Sequence, residues 1–191
     1  ISAFLIHYPE ISIKLSLSDE TTDLVAGGFD LAIRIGQKLP DSSLRARKVG
    51  TTKMEALAHK HFLAKHPVPL HPNDLDQHNC LTYKYMGDRE NRWTFNEKSH
   101  VKNQQISVKV SGNFSADNGV PLIQTAANGL GIAYVPDFMI SESLDKQLIR
   151  ILSDYTHIEN GIYAVYPDTK QQSINTRVFI DFLASQLEQG D

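Results

Sequence analysis

The sequence has 191 residues, 41% of them hydrophobic, so it can bury a real core as one large domain or two small lobes. Nineteen Lys and Arg against 22 Asp and Glu give a formal charge of -3, which argues against a surface built to grip duplex DNA, where a clustered basic excess is expected. One cysteine excludes an intrachain disulfide and fits a reducing compartment; with no apolar run near the roughly 20 residues that span a bilayer and no basic leader, a cytoplasmic location without membrane contact is expected.

Ile1, Phe4, Leu5 and Tyr8 keep helical spacing and stop at Pro9, so the sequence starts inside a helix, without a capping residue, and reads as part of a longer chain. Ile11, Ile13, Leu15 and Leu17 alternate with Ser12, Lys14, Ser16 and Ser18, the pattern of a strand with one buried face, and Asp19 marks a turn. A short helix over 20–28 ends at Gly27-Gly28, and LAIRI, 31–35, is the next strand. A strand, one short helix and a strand in so short a span require a parallel crossover, hence an α/β sheet covered by helices.

Two separate strands are expected over 44–49 and 53–58, then a short helix over 59–66 broken by Pro67 and Pro69, and a capped turn at Pro72-Asn73-Asp74-Leu75. Further strands are predicted at 80–85, 93–95, 106–110, 131–135, 147–152 and 162–166. Asp117 is placed to cap a helix that runs through Ala127 and ends at Asn128-Gly129, and Ile174, Val178, Phe179, Phe182, Leu183 and Leu187 make the last element an amphipathic helix.

Four strings, GFDLAIRIGQKLPDSSLRARKVG, LDQHNCLTY, NGLGIAYVPDFM and VYPDTKQQSINTRVFIDFL, fall in an order and spacing that resembles the effector-binding domain of LysR-type transcriptional regulators. The resemblance implies a type 2 periplasmic-binding-protein-like fold: lobe I from residues 1–57 and 160–191, lobe II from 58–159, crossovers near Ala56 to His59 and Asn160 to Ile162, and a central cleft for a small-molecule effector. It also implies that lobe I lacks its first strand here, that DNA is contacted only through an N-terminal winged helix-turn-helix absent from this chain, and that no catalysis occurs. A periplasmic solute-binding protein for transport shares the fold and is the competing reading. The implied assembly is an antiparallel homodimer, a tetramer in the full-length protein, in which Phe4, Tyr8, Ser12 and Lys14 of one copy approach Leu122, Gln124 and Thr125 of the other.

Arg34 near the end of its strand belongs at the open sheet edge where ligands of such sheets bind, or else pairs with Asp19, Asp30 or Asp41. Ser18 and Asp19 should face the same edge, with turn chemistry as their other role. Asp117 and Asn118 open a helix whose free N–H groups can seat a ligand, Asn118 being the better contact because it both donates and accepts. Thr82, Tyr83, Tyr134 and Pro136 are cleft lining by their positions in the matching motifs.

Enzyme and metal readings are weak. Cys80 beside His78 is better read as packing than as a nucleophile with its base, and His59, His61 and His66 lack ligand spacing. NGLGIA is not a dinucleotide fingerprint, since it lacks the third glycine and the preceding strand, and no cofactor is implied.

Overall fold

The computed structural model describes residues 1–17, 23–36, 44–83, 91–97, 105–157, 159–168 and 173–188. The chain divides into two compact units, one from Ile1–Leu17, Thr21–Thr52 and Asn160–Asp191, the other built on Lys53–Glu159.

In unit 1 the opening helix α1 (Ser2–His7) and the closing helix α5 (Ile174–Glu188) meet through aromatic side chains. Phe4 is fully buried, with ring centroids 4.8 Å from Tyr8, 4.9 Å from Phe179 and 5.3 Å from Phe182. Burial of such a side chain stabilises by about 1.5 to 3 kcal/mol, so the short α1 is held by packing rather than by its own propensity. Strand β1 (Ala32–Gly36) pairs antiparallel with β10 (Glu159–Pro167), Arg34 lying opposite Tyr163, and β10 neighbours β2 (Leu44–His59). Val49, Ile162, Ala164, Ile180 and Ala184 form the small core between this sheet and α5.

Several expectations for unit 1 need correction. Residues 11–17 form no strand, although their alternation is right: among the described residues no neighbour pairs with them, and Leu15 and Leu17 are 59% and 78% exposed. The helix expected over 20–28 is, in its described part, a single turn. Asp23 accepts from Val25 and Ala26 N–H, and the turn ends with Gly28 at φ 65, where Phe29 N–H reaches back to the Leu24 carbonyl. Among the described residues no parallel crossover is therefore formed here. Nor are both faces of β1 buried, since Ile33 and Ile35 are 44% and 41% exposed.

β2 is one continuous strand of 16 residues rather than two. The Gly50-Thr51-Thr52 stretch that suggests a break is accounted for by packing, because a Cβ on Gly50 would stand 3.1 Å from the Leu187 side chain of α5. Its second half belongs to unit 2, pairing antiparallel with β7 (Ile132–Pro136) and β8 (Leu148–Arg150). β7 runs parallel to β3 (Cys80–Tyr83), and β3 parallel to the two-residue β6 (Ser115–Ala116). A second sheet orders β5 (Gln105–Lys109), β4 (Arg92–Glu97) and β9 (Tyr155–His157).

The main sheet of unit 2 is buried on both faces, as a sheet with parallel strands requires. Ala56, Ala58, Ile132, Tyr134 and Cys80 face one cluster with Trp93, Phe95 and Val108; the alternate residues Leu57, Ala133, Val135 and Leu81 face the other, beneath α3 (Gly119–Ala127). The helix ends as its sequence predicts, with Gly129 at φ 79 after Asn128. The predicted turn at 72–75 is a 3-10 helix, Pro72–Gln77, capped by His71 Nδ1, which accepts from Asn73 N–H. Two small helices, α2 (Lys60–Leu63) and α4 (Glu142–Asp145), and a 3-10 helix at Asp137–Met139 complete the unit among the described residues.

Candidate functional site

The C-terminal end of β3 is where unit 2 offers a concave polar surface. Thr82 N–H donates to the Phe114 carbonyl at 3.1 Å, and Thr82 and Tyr83 lie in parallel register with Ser115 and Ala116, so the 110–116 segment is laid along β3. Gly112 permits that close passage: a Cβ there would come within 1.9 Å of the Cys80 carbonyl oxygen. Asn79 locks the neighbouring segments from the other end. Its Nδ2 donates to Asn113 Oδ1 and to the Leu130 carbonyl, each at 2.9 Å, while its Oδ1 accepts from Asn113 N–H at 2.9 Å. Gly131 leaves room for it, since a Cβ would stand 2.3 Å from the Asn79 carbonyl oxygen.

The result is a concavity of about 350 Å³ whose walls are Thr82 and Tyr83 from β3, the 112–115 segment, and Asn91 at the start of β4. Asn91 holds φ 63, a left-handed conformation asparagine tolerates better than most residues, with its carbonyl accepting from Val110 N–H. The position agrees with the rule that ligands of α/β sheets bind beyond the carboxyl ends of parallel strands. The sequence marks Gly112, Asn113, Phe114 and Ser115 only through the string SGNFS, a run of small and amide residues, and does not mark Asn91.

Thr82 and Tyr83 are thus brought together on one wall. Tyr83 also reaches α3: a Cβ on Gly119 would lie 2.3 Å from the Tyr83 hydroxyl, so glycine at the first helical position is what lets the phenol pack there. Asn118, not Asp117, caps α3, its Oδ1 accepting from Val120 N–H at 2.8 Å, and Asp117 is exposed. The reason is register: the helix begins at Gly119, which puts Asn118 in the capping position.

Tyr134 and Pro136 are buried in unit 2. Tyr134 is 7% exposed, donates its hydroxyl to the Thr94 carbonyl at 2.7 Å, and packs on Trp93 and Phe95 with centroids 5.2 and 5.1 Å away. Burial, and then the negative charge of Glu55, push its phenol well above the usual range. Pro136 is buried at the end of β7, paired with Met54. Ser18 and Asp19 lie outside the described residues. Arg34 in unit 1 is half-buried and is not a free cation.

Of the expected interface residues, Phe4 packs in the aromatic cluster with α5, and Leu122 is fully buried on the inner face of α3. Ser12, Lys14 and Gln124 are exposed, and Tyr8 and Thr125 half-buried.

Cys80 is fully buried and its thiol donates to the Leu75 carbonyl at 3.5 Å, with burial pushing it up to about 12. Such a thiol is packing, not a nucleophile. His78 is 7% exposed, its Nδ1 has no hydrogen-bond partner among the described residues, and its ring lies 6.4 Å from His66 and 6.1 Å from Phe62. Burial, then the neighbouring His66, hold it below its ordinary 6.5, against the opposing pull of Asp74 and Asp76. Among the described residues no group of three or more His, Cys, Asp or Glu could hold a metal ion, and no helix is long and apolar enough to cross a membrane.

Residues 1–188 match the model of the LysR substrate binding domain. A HTH-type transcriptional regulator of Haemophilus influenzae is 34% identical over 184 residues, 95% of this chain and 62% of that protein. The HTH-type transcriptional activator TtdR of Escherichia coli is 32% identical over 190 residues, 99% of this chain and 59% of its own length. The chain thus spans about 60% of the curated relatives it matches. Among solved structures, the regulatory domain of CrgA, a LysR-type transcriptional regulator from Neisseria meningitidis, superposes with a TM-score of 0.80 at 30% identity, covering 97% of this chain and 89% of that one.

Proposed function

Since the chain belongs to the LysR substrate binding domain family, whose members are parts of transcriptional regulators and not enzymes, we propose that it recognises a small-molecule effector at the polar concavity of unit 2. The observation that carries the reading is that concavity, walled at the carboxyl end of β3 and held by the Asn79 and Gly112 contacts. Thr82, Tyr83 and Asn118 of unit 2 are the proposed contacts, with Asp117 at the margin. The effector would act by binding two arrangements of the regulator with different affinity. Two lobes divided near residues 57 and 160, a homodimer using Tyr8, Ser12, Lys14, Gln124 and Thr125, a tetramer of the whole regulator, DNA contact outside these residues and a cytoplasmic setting complete the proposal.

A thermal-shift screen of the chain against a broad metabolite library tests it. At least one compound should raise the Tm by several degrees, and Ser115→Trp, which fills the concavity, should abolish that response while leaving the ligand-free Tm near wild type. Hits that all survive Ser115→Trp would place the effector elsewhere.

A further inference from the structure

Resting on that reading, we infer that His78 is a proton-operated release for the Asn79 clamp, which loosens the wall of the effector concavity as the pH falls. His78 is buried, and its Nδ1 has no hydrogen-bond partner among the described residues. Its own N–H donates to the Leu75 carbonyl at 3.2 Å, closing the 3-10 helix Pro72–Gln77. The next residue is Asn79, whose side chain ties Asn113 to the Leu130 carbonyl and whose own carbonyl accepts from Ile132 N–H at 2.9 Å. One peptide unit, about 3.8 Å between Cα atoms, therefore separates a buried imidazole from the clamp that holds the 113 segment in place.

A neutral imidazole stays in such a seat at the cost of one unmatched nitrogen. An imidazolium would place there a charge out of water and a second N–H, on Nδ1, with no acceptor among the described residues. The surroundings do little to offset it. Phe62 of α2 lies 6.1 Å away, and His66, stacked on Phe62 and 6.4 Å from His78, adds like charge when it too takes a proton. Asp74 and Asp76 act the other way, but Asp74 Oδ2 already accepts from the N–H groups of Leu70 and His71, and Asp76 is exposed. The other titratable or charged groups of the packed elements are turned to solvent or engaged: Lys60, His61 and Lys65 at α2 and Lys109 of β5 are exposed, and His71 is held as the cap of the 3-10 helix. Burial, then His66, outweigh the two carboxylates and keep the ring below its ordinary 6.5. Acid therefore favours the ring outside its seat. Because the Leu75 and Asn79 bonds fix the chain on either side, leaving that seat turns the backbone at 78–79 and strains the Asn79 bonds to 113 and 130.

Amide hydrogen exchange followed by NMR on the ligand-free chain, from pH 7.5 to 5.5 and corrected for the intrinsic rate at each pH, tests the inference. In an open clamp His78 titrates at its ordinary 6.5, so the open population should rise by up to about tenfold over that range. The amides of Asn113 and Ile132 should lose about threefold to tenfold in protection, from a level already below that of Phe95 in the second sheet. The loss should vanish in His78→Leu and in His78→Gln. Protection at 113 and 132 that ignores pH, or a loss that persists in both variants, would overturn the inference. So would protection there equal to that of Phe95 at every pH, since the whole unit would then open at once. No effector enters this measurement, so the library screen with Ser115→Trp judges the effector reading separately.

Discussion

Unit 2 and unit 1 use the same kinds of element with different degrees of closure. In unit 2 both faces of the main sheet are buried and a side-chain amide, Asn79, ties together the 113 and 130 segments. In unit 1 one face packs on α5, while β1 presents Ile33 and Ile35 to solvent and 11–17 lies without a strand partner among the described residues. Stability should therefore be unevenly distributed: the half that carries the polar concavity is the stiffer one, which suits a site whose donors must be held in place before a ligand arrives.

The sharpest way to break this contrast is Gly112→Ala. The new Cβ would meet a backbone oxygen rather than a side chain that can swing away, and the β3 to 110–116 contact must open. A loss of about 3 kcal/mol or more is expected in denaturant unfolding. Trp93, the single tryptophan and 4% exposed in unit 2, gives the fluorescence signal.

A smaller effect should come from pH. Because His78 has its folded value depressed, the unfolded chain takes up a proton first as pH drops below about 6.5, and stability falls until the folded form also protonates. Asp74, held low by N–H groups of His71 and Leu70, adds a second loss near and below its ordinary 3.8. A Tm series from pH 8 to 4 should show the first decline in the wild type and not in His78→Leu, which should also gain about 1 kcal/mol at pH 7 by removing an unpaired buried nitrogen. A decline of equal size in both proteins would remove His78 from the explanation.

The smallest effect belongs to the open side of unit 1. Ile33→Thr and Ile35→Thr should each change stability by less than about 0.5 kcal/mol, since the side chains replaced are already wet and threonine keeps the strand preference. A loss above 2 kcal/mol for either would mean that this face is covered in solution, and the contrast would disappear.

Legibility followed the range of the forces involved. The α3 stop at Asn128-Gly129 and the long closing helix were readable because caps and helical periodicity are local. The strand at 11–17 was not, because alternation specifies a face and a strand also needs a neighbour. The break expected in β2 failed because Gly50 answers to Leu187, far along the chain. Thr82 and Tyr83, marked by their motif, line the concavity, while Tyr134 in an equally good motif turns inward, its hydroxyl closed by Thr94. Asn91 and Asn113 are not legible in the sequence because nothing in an isolated asparagine announces which carbonyl or amide it will meet.

Cys80 gives the protein a built-in clock. It is the only cysteine, it lies in the unit-2 core, and with its thiol pushed up to about 12 it offers almost no thiolate to a reagent near neutral pH. Alkylation must wait for the core around it to open, so the native labelling rate counts excursions of that half alone. Recorded against effector concentration, the rate would slow in proportion to occupancy, reporting binding from inside the stiffer unit without any substitution.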